Sequence, residues 1–351
     1  MRIDQVCAGF LAGDAISDEA VNIRKVLRGW GYQSSIYSWP PHIHPKSRRE
    51  CESISGLHPS PSDILIYHFS ISSPVSKPVL EFTGKKILIY HNVTPGHYFR
   101  PYSWEIADKL EDGREQLAAL RDGFDLALAD SEFNRQELDE LGFRKTAVLP
   151  ILFDPDRLAA PSGHGLPFLR KPGNLILFVG RLVPNKKAED LVKIFDLYRR
   201  FYNPESQLVW VGGWGGVDLY YWELKTMIEE LGIAGVTFTG YLPANQLAAC
   251  FERADIFASA SEHEGFCVPI LESFHYGKPI VAYSAGAIPE TVGDAGLILN
   301  KRDPIAFAGA IDRLSRHREL AEELRRRGRQ RLCTHFGFSR VADLLRGYLG
   351  L

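Results

Sequence analysis

Glu264 and Glu272 sit in the stretch SASEHEGFCVPILESFHYGKPIVA with seven residues between them. Paired carboxylates can act as acid and base on a glycosidic bond, which makes a glycoside hydrolase one reading. Pro269 suggests a different use. A helix starting there leaves the amides of residues 268–271, Val268 and Leu271 included, without intrahelical partners. That partly positive end can hold a phosphate. Glu264 precedes the anion site and Glu272 lies one turn inside it, so each can accept hydrogen bonds from hydroxyls on its own side of a phosphate. A nucleotide sugar has that layout: sugar, diphosphate, ribose.

A diphosphate needs cations, and FVGRLVPNKKAEDL at residues 178–191 offers them. Arg181 follows Gly180 at a strand end and Lys186 precedes a helix, so both project from the same edge as the glutamates. Arginine offers a fork for phosphate oxygens and lysine a point charge. Together they can stabilise the charge that develops on a departing diphosphate. Lys187 reads as part of a solvated face.

The elements that must position these groups are legible as alternation. IDQVCAG, SSIYSW, DILIYHF, KKILIYHNV, DLALADS and TAVLPIL read as strands, with helices at 17–29, 103–122 and 132–141, the last capped by Ser131. Residues 153–173 are rich in Pro and Gly and aperiodic, which marks a linker. Its Asp154-Pro155-Asp156 has the form of a DxD metal motif, but Asp-Pro is ordinary turn chemistry. LILFVG, QLVWVGG, VTFTGY, IFASAS, PIVAYS and GLILN then restart the alternation, with helices near 187–202, 219–231, 244–253 and 269–276. Asp303-Pro304 opens a helix to about 316, a further one covers 318–335, and Ser339 reads as the cap of the last. Such alternation predicts α/β architecture: two doubly wound parallel units, with a ligand cleft at the carboxyl ends of their strands.

Composition removes several classes. The 351 residues are 45% hydrophobic and 24% charged, as globular domains are. A net charge of −2 gives no reason to expect nucleic acid. Five scattered cysteines without CxxC spacing read as reduced thiols in a cytoplasmic protein, neither disulfide frame nor zinc site. The N-terminus shows no signal-peptide pattern and no run is long enough for a membrane span. The arginine-rich stretch 313–332 is interrupted by Glu319, Glu322 and Glu323 and reads as a salt-bridged solvent face. Peripheral association at the inner face of a membrane stays open; Arg24, Lys25 and Arg28 on the first helix are better placed for a lipid-linked acceptor and read equally as an ordinary exposed face. The glycine-rich loop 8–17, which contains Gly13, can approach donor phosphates or acceptor, although neither it nor GGWGG at 212–216 has the dinucleotide-fingerprint spacing.

GRLVPNK followed by EGFCVPILE resembles the retaining glycosyltransferases of family 4. The resemblance implies the GT-B fold: two Rossmann-like domains facing a deep interdomain cleft, here an acceptor-side domain at 1–155 and a donor domain at 166–335. The C-terminal helix, 336–351, would cross back onto the first domain. It implies that Arg181 and Lys186 grip the donor diphosphate. Glu264 would meet the sugar hydroxyls with the amides of Gly265, Phe266 and Cys267, and Glu272 the ribose. GYLPANQL at 240–247, with Tyr241 and Leu242, would hold the base, and SAGAIPE at 284–290 would close the pocket. His91 would lie near the reaction centre, with His97, Tyr98 and Phe99 toward the acceptor; His68, at another strand end, reads as readily as a core histidine. Cys267 departs from the glycine usual there. The implied activity is retaining hexosyl transfer from a UDP- or GDP-sugar to a glycan or lipid-linked saccharide in surface polysaccharide or glycoconjugate synthesis. No metal or other cofactor is required. The rival readings are the hydrolase and a non-catalytic nucleotide-sugar-binding protein.

Overall fold

The computed structural model describes residues 1–11, 13–158, 160–170 and 172–351. It divides into two compact units. Met1–Gly96, Ala107–Asp154 and Phe336–Leu351 form the first, and His97–Ile106 with Pro155–His335 the second. Two positions of the expected linker, Ala159 and Lys171, lie outside the described residues; the rest of it includes the short turns Pro155–Arg157 and Pro167–Arg170.

The first unit is built on β1 (Ile3–Cys7), β2 (Ile36–Ser38), β3 (Glu52–Ser53), β4 (Ile64–Phe69), β5 (Lys85–Tyr90), β6 (Leu126–Ala129) and β7 (Thr146–Val148). They form one parallel sheet in the order β3-β2-β1-β4-β5-β6-β7. The central strands are buried on both faces, which explains why ILIYHF and KKILIY read as near-continuous apolar runs. The order reverses between β1 and β4, so loops leaving those strands diverge and open a crevice at their carboxyl ends.

The second unit repeats the plan with β8 (Leu175–Val179), β9 (Gln207–Val211), β10 (Val236–Phe238), β11 (Ile256–Ser259), β12 (Ile280–Tyr283) and β13 (Gly296–Leu299). The order is β10-β9-β8-β11-β12-β13, all parallel, with the reversal between β8 and β11.

The last helix, Phe338–Leu349, packs in the first unit. Its Val341, Ala342, Leu345 and Leu349 join Ile3, Ile66, Ile87 and Leu128 in one core cluster. Lys85 Nζ donates to the carbonyls of Tyr348 and Leu349 at 3.2 and 3.0 Å, placing a cation on the negative end of that helix. Gly337, not Ser339, occupies the cap position. Phe338, partly buried against the same core, draws the helix start forward and leaves Ser339 inside the first turn.

Candidate active site

In the second unit the two strands that flank the reversal carry the expected groups. Beyond β8 the chain passes Gly180 and Arg181 into the turn Pro184–Lys186, and beyond β11 it passes Ser261 to Glu264. Lys186 Nζ lies 2.5 Å from Glu264 Oε2, while Ser261 donates its hydroxyl to Glu264 Oε1 at 2.8 Å. Glu264 is only 6% exposed, so its carboxylate is oriented by two partners in a mostly dry setting. Asn185 joins the two loops: its amide donates to the His263 carbonyl at 3.1 Å and its own carbonyl accepts from the Glu262 amide at 2.9 Å. Lys187 lies 3.3 Å from Glu262 and 3.5 Å from Glu189, which places it among surface ion pairs.

The helix after Glu264 runs Val268–His275, one residue earlier than Pro269 suggests, with Pro269 in its first turn. Cys267 is its N-cap residue at φ +71°, a left-handed conformation that glycine adopts without a Cβ clash. Its thiol is buried, and burial pushes its pKa far up, so it is an inert neutral group. Gly265 is half-buried, and the carbonyl of buried Phe266 accepts from Thr291 Oγ1 at 3.0 Å. Leu271 is fully buried and belongs to the core, so its side chain offers nothing to a ligand. Glu272 is half-buried, one turn along. Behind Glu264, the amide of Ala287 donates to its carbonyl at 2.9 Å. A Cβ on Gly286, at φ +51°, would stand 2.2 Å from that same oxygen.

Arg181 is exposed and donates through Nη2 to the Gly215 carbonyl at 3.1 Å. The GGWGG loop therefore belongs to the site despite its uninformative spacing. A Cβ on Gly212 would fall 2.0 Å from the Gly180 carbonyl, and Leu182 donates its amide to Gly213 at 2.9 Å. Tyr241 is 63% exposed, and its ring lies 3.2 Å from where a Gly213 side chain would begin. Trp214 stacks on Tyr221 with ring centres 4.0 Å apart. Leu242 is half-buried beside Tyr241 in the chain. This unit thus offers an aromatic edge, a cation and an oriented carboxylate around the ends of β8 and β11.

His97, Tyr98 and Phe99 belong to this unit as well. Tyr98 lies 6.3 Å, ring to ring, from His263, and Tyr102 meets Tyr220 edge-on at 5.0 Å. These contacts separate them from His91, although the stretch HNVTPGHYF is continuous in sequence.

His91 sits in the first unit within a buried relay drawn from five elements. Gln5 donates its amide to the Ala20 carbonyl at 2.9 Å, which turns Oε1 toward His68 Nε2, also 2.9 Å away. That nitrogen of His68 carries the proton, so its Nδ1 accepts from His91 Nε2 at 2.9 Å. His91 Nδ1 faces Asp130 Oδ2 at 3.0 Å and Glu19 Oε2 at 3.5 Å. Both ring nitrogens of His91 are therefore donors, and the ring is an imidazolium. Burial opposes that charge, but Asp130 and Glu19 outweigh it and raise its pKa to about 9. Burial lowers the pKa of His68 far below the usual range, and the His91 charge adds to this. Burial, with Asp130 adding and His91 opposing, pushes Glu19 up to about 8. Burial also raises the pKa of Asp130, with the His91 charge and hydrogen bond opposing.

Glu19, His68 and His91 also offer three ligand atoms within 4.8 Å of one another. The ring nitrogens of His68 and His91 are already engaged in the relay. Asp154 of the DxD-like turn pairs with Lys25 at 2.8 Å. Gly13 lies in the first unit, exposed at φ +86° between β1 and the helix Ala15–Gly29, and so is not among the groups of the second unit.

Residues 167–331, which include Arg181, Lys186, Glu264 and Glu272, match the family described as glycosyl transferases group 1. These residues belong to glycosyl transferases group 1. An O-antigen chain mannosyltransferase B of Escherichia coli is 26% identical over 211 residues, 58% of this chain and 55% of that protein. A GDP-mannose-dependent alpha-(1-6)-phosphatidylinositol monomannoside mannosyltransferase of Mycobacterium tuberculosis is 29% identical over 260 residues, 68% and 66% of the two chains. The chain thus spans between half and two thirds of these relatives. The crystal structure of Anabaena Alr3699/HepE in complex with UDP and glucose superposes with a TM-score of 0.79 at 16% identity, over 100% of both chains. That likeness shows the fold, which is GT-B.

Of the residues that the sequence singled out, the structure brings Lys186 and Glu264 into contact and places a helix directly after Cys267. The sequence missed Ser261, Asn185 and the GGWGG loop. Ser261 and Asn185 carry no motif of their own, and only the pairing of β8 with β11 reveals them. In the first unit, Gln5, Glu19 and Asp130 escaped for the same reason.

Proposed function

We propose that this chain is a retaining, metal-independent glycosyltransferase. It moves a hexose from a UDP- or GDP-sugar to a hydroxyl of a glycan or lipid-linked saccharide, in surface polysaccharide or glycoconjugate synthesis. The observation that carries the reading is the Lys186–Glu264 pair at 2.5 Å, set beside Arg181 at the carboxyl ends of β8 and β11. Supporting it are the family match of the second unit and the named activities of its relatives, one of them GDP-mannose-dependent.

In this reading Arg181 and Lys186 hold the donor diphosphate, and the amides around Val268 add the partly positive end of a helix. Glu264, held by Lys186 and Ser261, accepts hydrogen bonds from hydroxyls of the transferred sugar. Glu272 meets the ribose, and Tyr241 packs on the base. As the sugar–oxygen bond breaks, the fixed cations stabilise the charge on the leaving phosphate. The acceptor hydroxyl attacks from the same face and gives its proton to that phosphate oxygen. His91 does not take the proton, since both of its nitrogens already carry one; it acts as a fixed charge at the end of β5.

A thermal-shift panel of UDP, GDP, ADP and dTDP, each with its sugar conjugates and without metal, tests this. One nucleotide series should raise the melting temperature, by an amount corresponding to about 2.7 kcal/mol at a hundredfold excess over Kd. A flat panel on folded protein would overturn the donor site. Donor binding without transfer or slow donor hydrolysis would point to a non-catalytic binder.

A further inference from the structure

Some cations on this chain are neutralised by neighbouring carboxylates, three of them in the arginine-rich helix. In Arg318–His335, Arg325 pairs with Glu322 at 2.6 Å, and Arg326 and Arg327 both pair with Glu323 at 2.8 Å. The segment after β2 differs. Residues 39–49 read WPPHIHPKSRR, without an acidic side chain. Among the described residues, Lys46, Arg48 and Arg49 form no ion pair, and all three are exposed. The next residue, Glu50, is held by Arg24.

The segment is a seated strap. Ile43 and Cys51 are buried in a small core with Phe10 and Ile36. The Phe10 amide donates to the His42 carbonyl at 3.0 Å, and the His44 amide donates to the Phe10 carbonyl at 2.9 Å. This pairing brings Leu11, 38% exposed, alongside the strap, whose first residue, Trp39, is 37% exposed. An exposed aromatic and an exposed aliphatic side chain therefore flank a segment that carries three cations outside any ion pair and two histidines.

We propose that this strap docks the protein on an anionic lipid surface, with Lys46, Arg48 and Arg49 toward the headgroups and Trp39 and Leu11 at the interface. Lysine and arginine clusters are drawn to anionic leaflets, and tryptophan favours the boundary between headgroup and acyl chain. The apolar pair favours a bilayer over a soluble polyanion, which would need only the charges. The proposal concerns where the protein works and stands independently of the donor assignment.

The test is cosedimentation of the full chain with vesicles of phosphatidylcholine alone, or with roughly a third phosphatidylglycerol, at low and high salt. Binding should require phosphatidylglycerol and fall with salt. The triple variant Lys46→Glu, Arg48→Glu, Arg49→Glu should lose about tenfold or more in partitioning. Arg313→Glu, Arg316→Glu, Arg318→Glu changes net charge equally and should remain within about twofold of the parent. Trp39→Ser, which leaves the charge alone, should weaken binding several-fold, and it carries the test should the triple variant fail to fold. Equal binding to neutral vesicles, no binding, or equal loss in both triple variants would overturn the proposal. Strap-dependent binding to a soluble anionic glycan without vesicle binding would overturn it too, in favour of an acceptor groove.

Discussion

Lys186 Nζ and Glu264 Oε2 lie 2.5 Å apart, although 78 residues separate them in the chain. The contact exists because β8 and β11 are neighbours and both loops leave the same edge of the sheet. It means that the carboxylate and the cation orient each other before any substrate arrives. Preorganised charge of this kind acts on a transition state without reorganising during the reaction.

Removing either partner should therefore affect more than charge. Lys186→Met and Glu264→Gln should each lower transfer by about a hundredfold or more. Lys186→Met also leaves a carboxylate that is 6% exposed without its cation, a loss of about 3 kcal/mol. Steady-state kinetics and calorimetry on both variants check this, and a Lys186→Met rate close to the parent's would remove the diphosphate clamp.

The relay in the first unit makes stability depend on pH. The folded pKa of His91 is raised from 6.5 to about 9, so its contribution is complete below 6.5 and lost as pH rises through about 9. Glu19, raised from 4.5 to about 8, works in the same direction between those values. His68 is shifted down, so its contribution is lost as pH falls below 6.5. The melting temperature should therefore drop on the alkaline side between pH 6.5 and 9, where His91 titrates. Asp130→Asn should flatten that drop by removing the main support of the charge. Nitrogen NMR of the His91 ring at neutral pH should show both nitrogens protonated; a single protonated nitrogen would contradict the relay.

Gly286 tests how tightly Glu264 is backed. Gly286→Ala places a Cβ 2.2 Å from the Glu264 carbonyl at a backbone φ of +51°, so the loop must shift. The expected loss is at least about 2 kcal/mol, with reduced turnover. Gly215→Ala, where no atom lies within 4 Å and φ is not positive, should remain within about 0.5 kcal/mol. Equal melting temperatures for the two variants would show that the loop behind Glu264 gives way freely.

Truncation before Phe336 should unfold the first unit. Val341, Leu345 and Leu349 are 0%, 1% and 3% exposed, and each contributes on the order of 2 kcal/mol of apolar burial. Lys85 would also lose its helix-terminal carbonyls. Hydrogen exchange should show β5 and β6 losing protection, whereas intact protection there would mean that the last helix is dispensable.

What the sequence determined by itself is what local pattern can encode. Apolar runs alternating with amphipathic stretches specify parallel doubly wound units, because strands buried on both faces must be apolar throughout. Strand ends followed by glycine and cation, and a proline opening a helix after an acidic loop, are legible as Arg181, Lys186 and Glu264. Asp303 capping Ile305 and Ala306, and Ser131 capping Asn134, are equally local. The helix start at Val268 moved by one residue and that at Phe338 by two, because packing competes with capping at a terminus.

The tertiary structure alone decided the relay of Gln5, Glu19, His68, His91 and Asp130. Its members come from β1, a helix, and the ends of three adjacent strands, and parallel register brings them together without any shared motif. Protonation follows from burial and from neighbouring charge, neither of which a linear pattern carries. Gly212 and Gly286 likewise answer to carbonyls of Gly180 and Glu264, distant in the chain. The surface charges divided the same way: Arg325, Arg326 and Arg327 of the long arginine-rich helix pair with its own glutamates, whereas Lys46, Arg48 and Arg49 of the strap after β2 form no ion pair among the described residues.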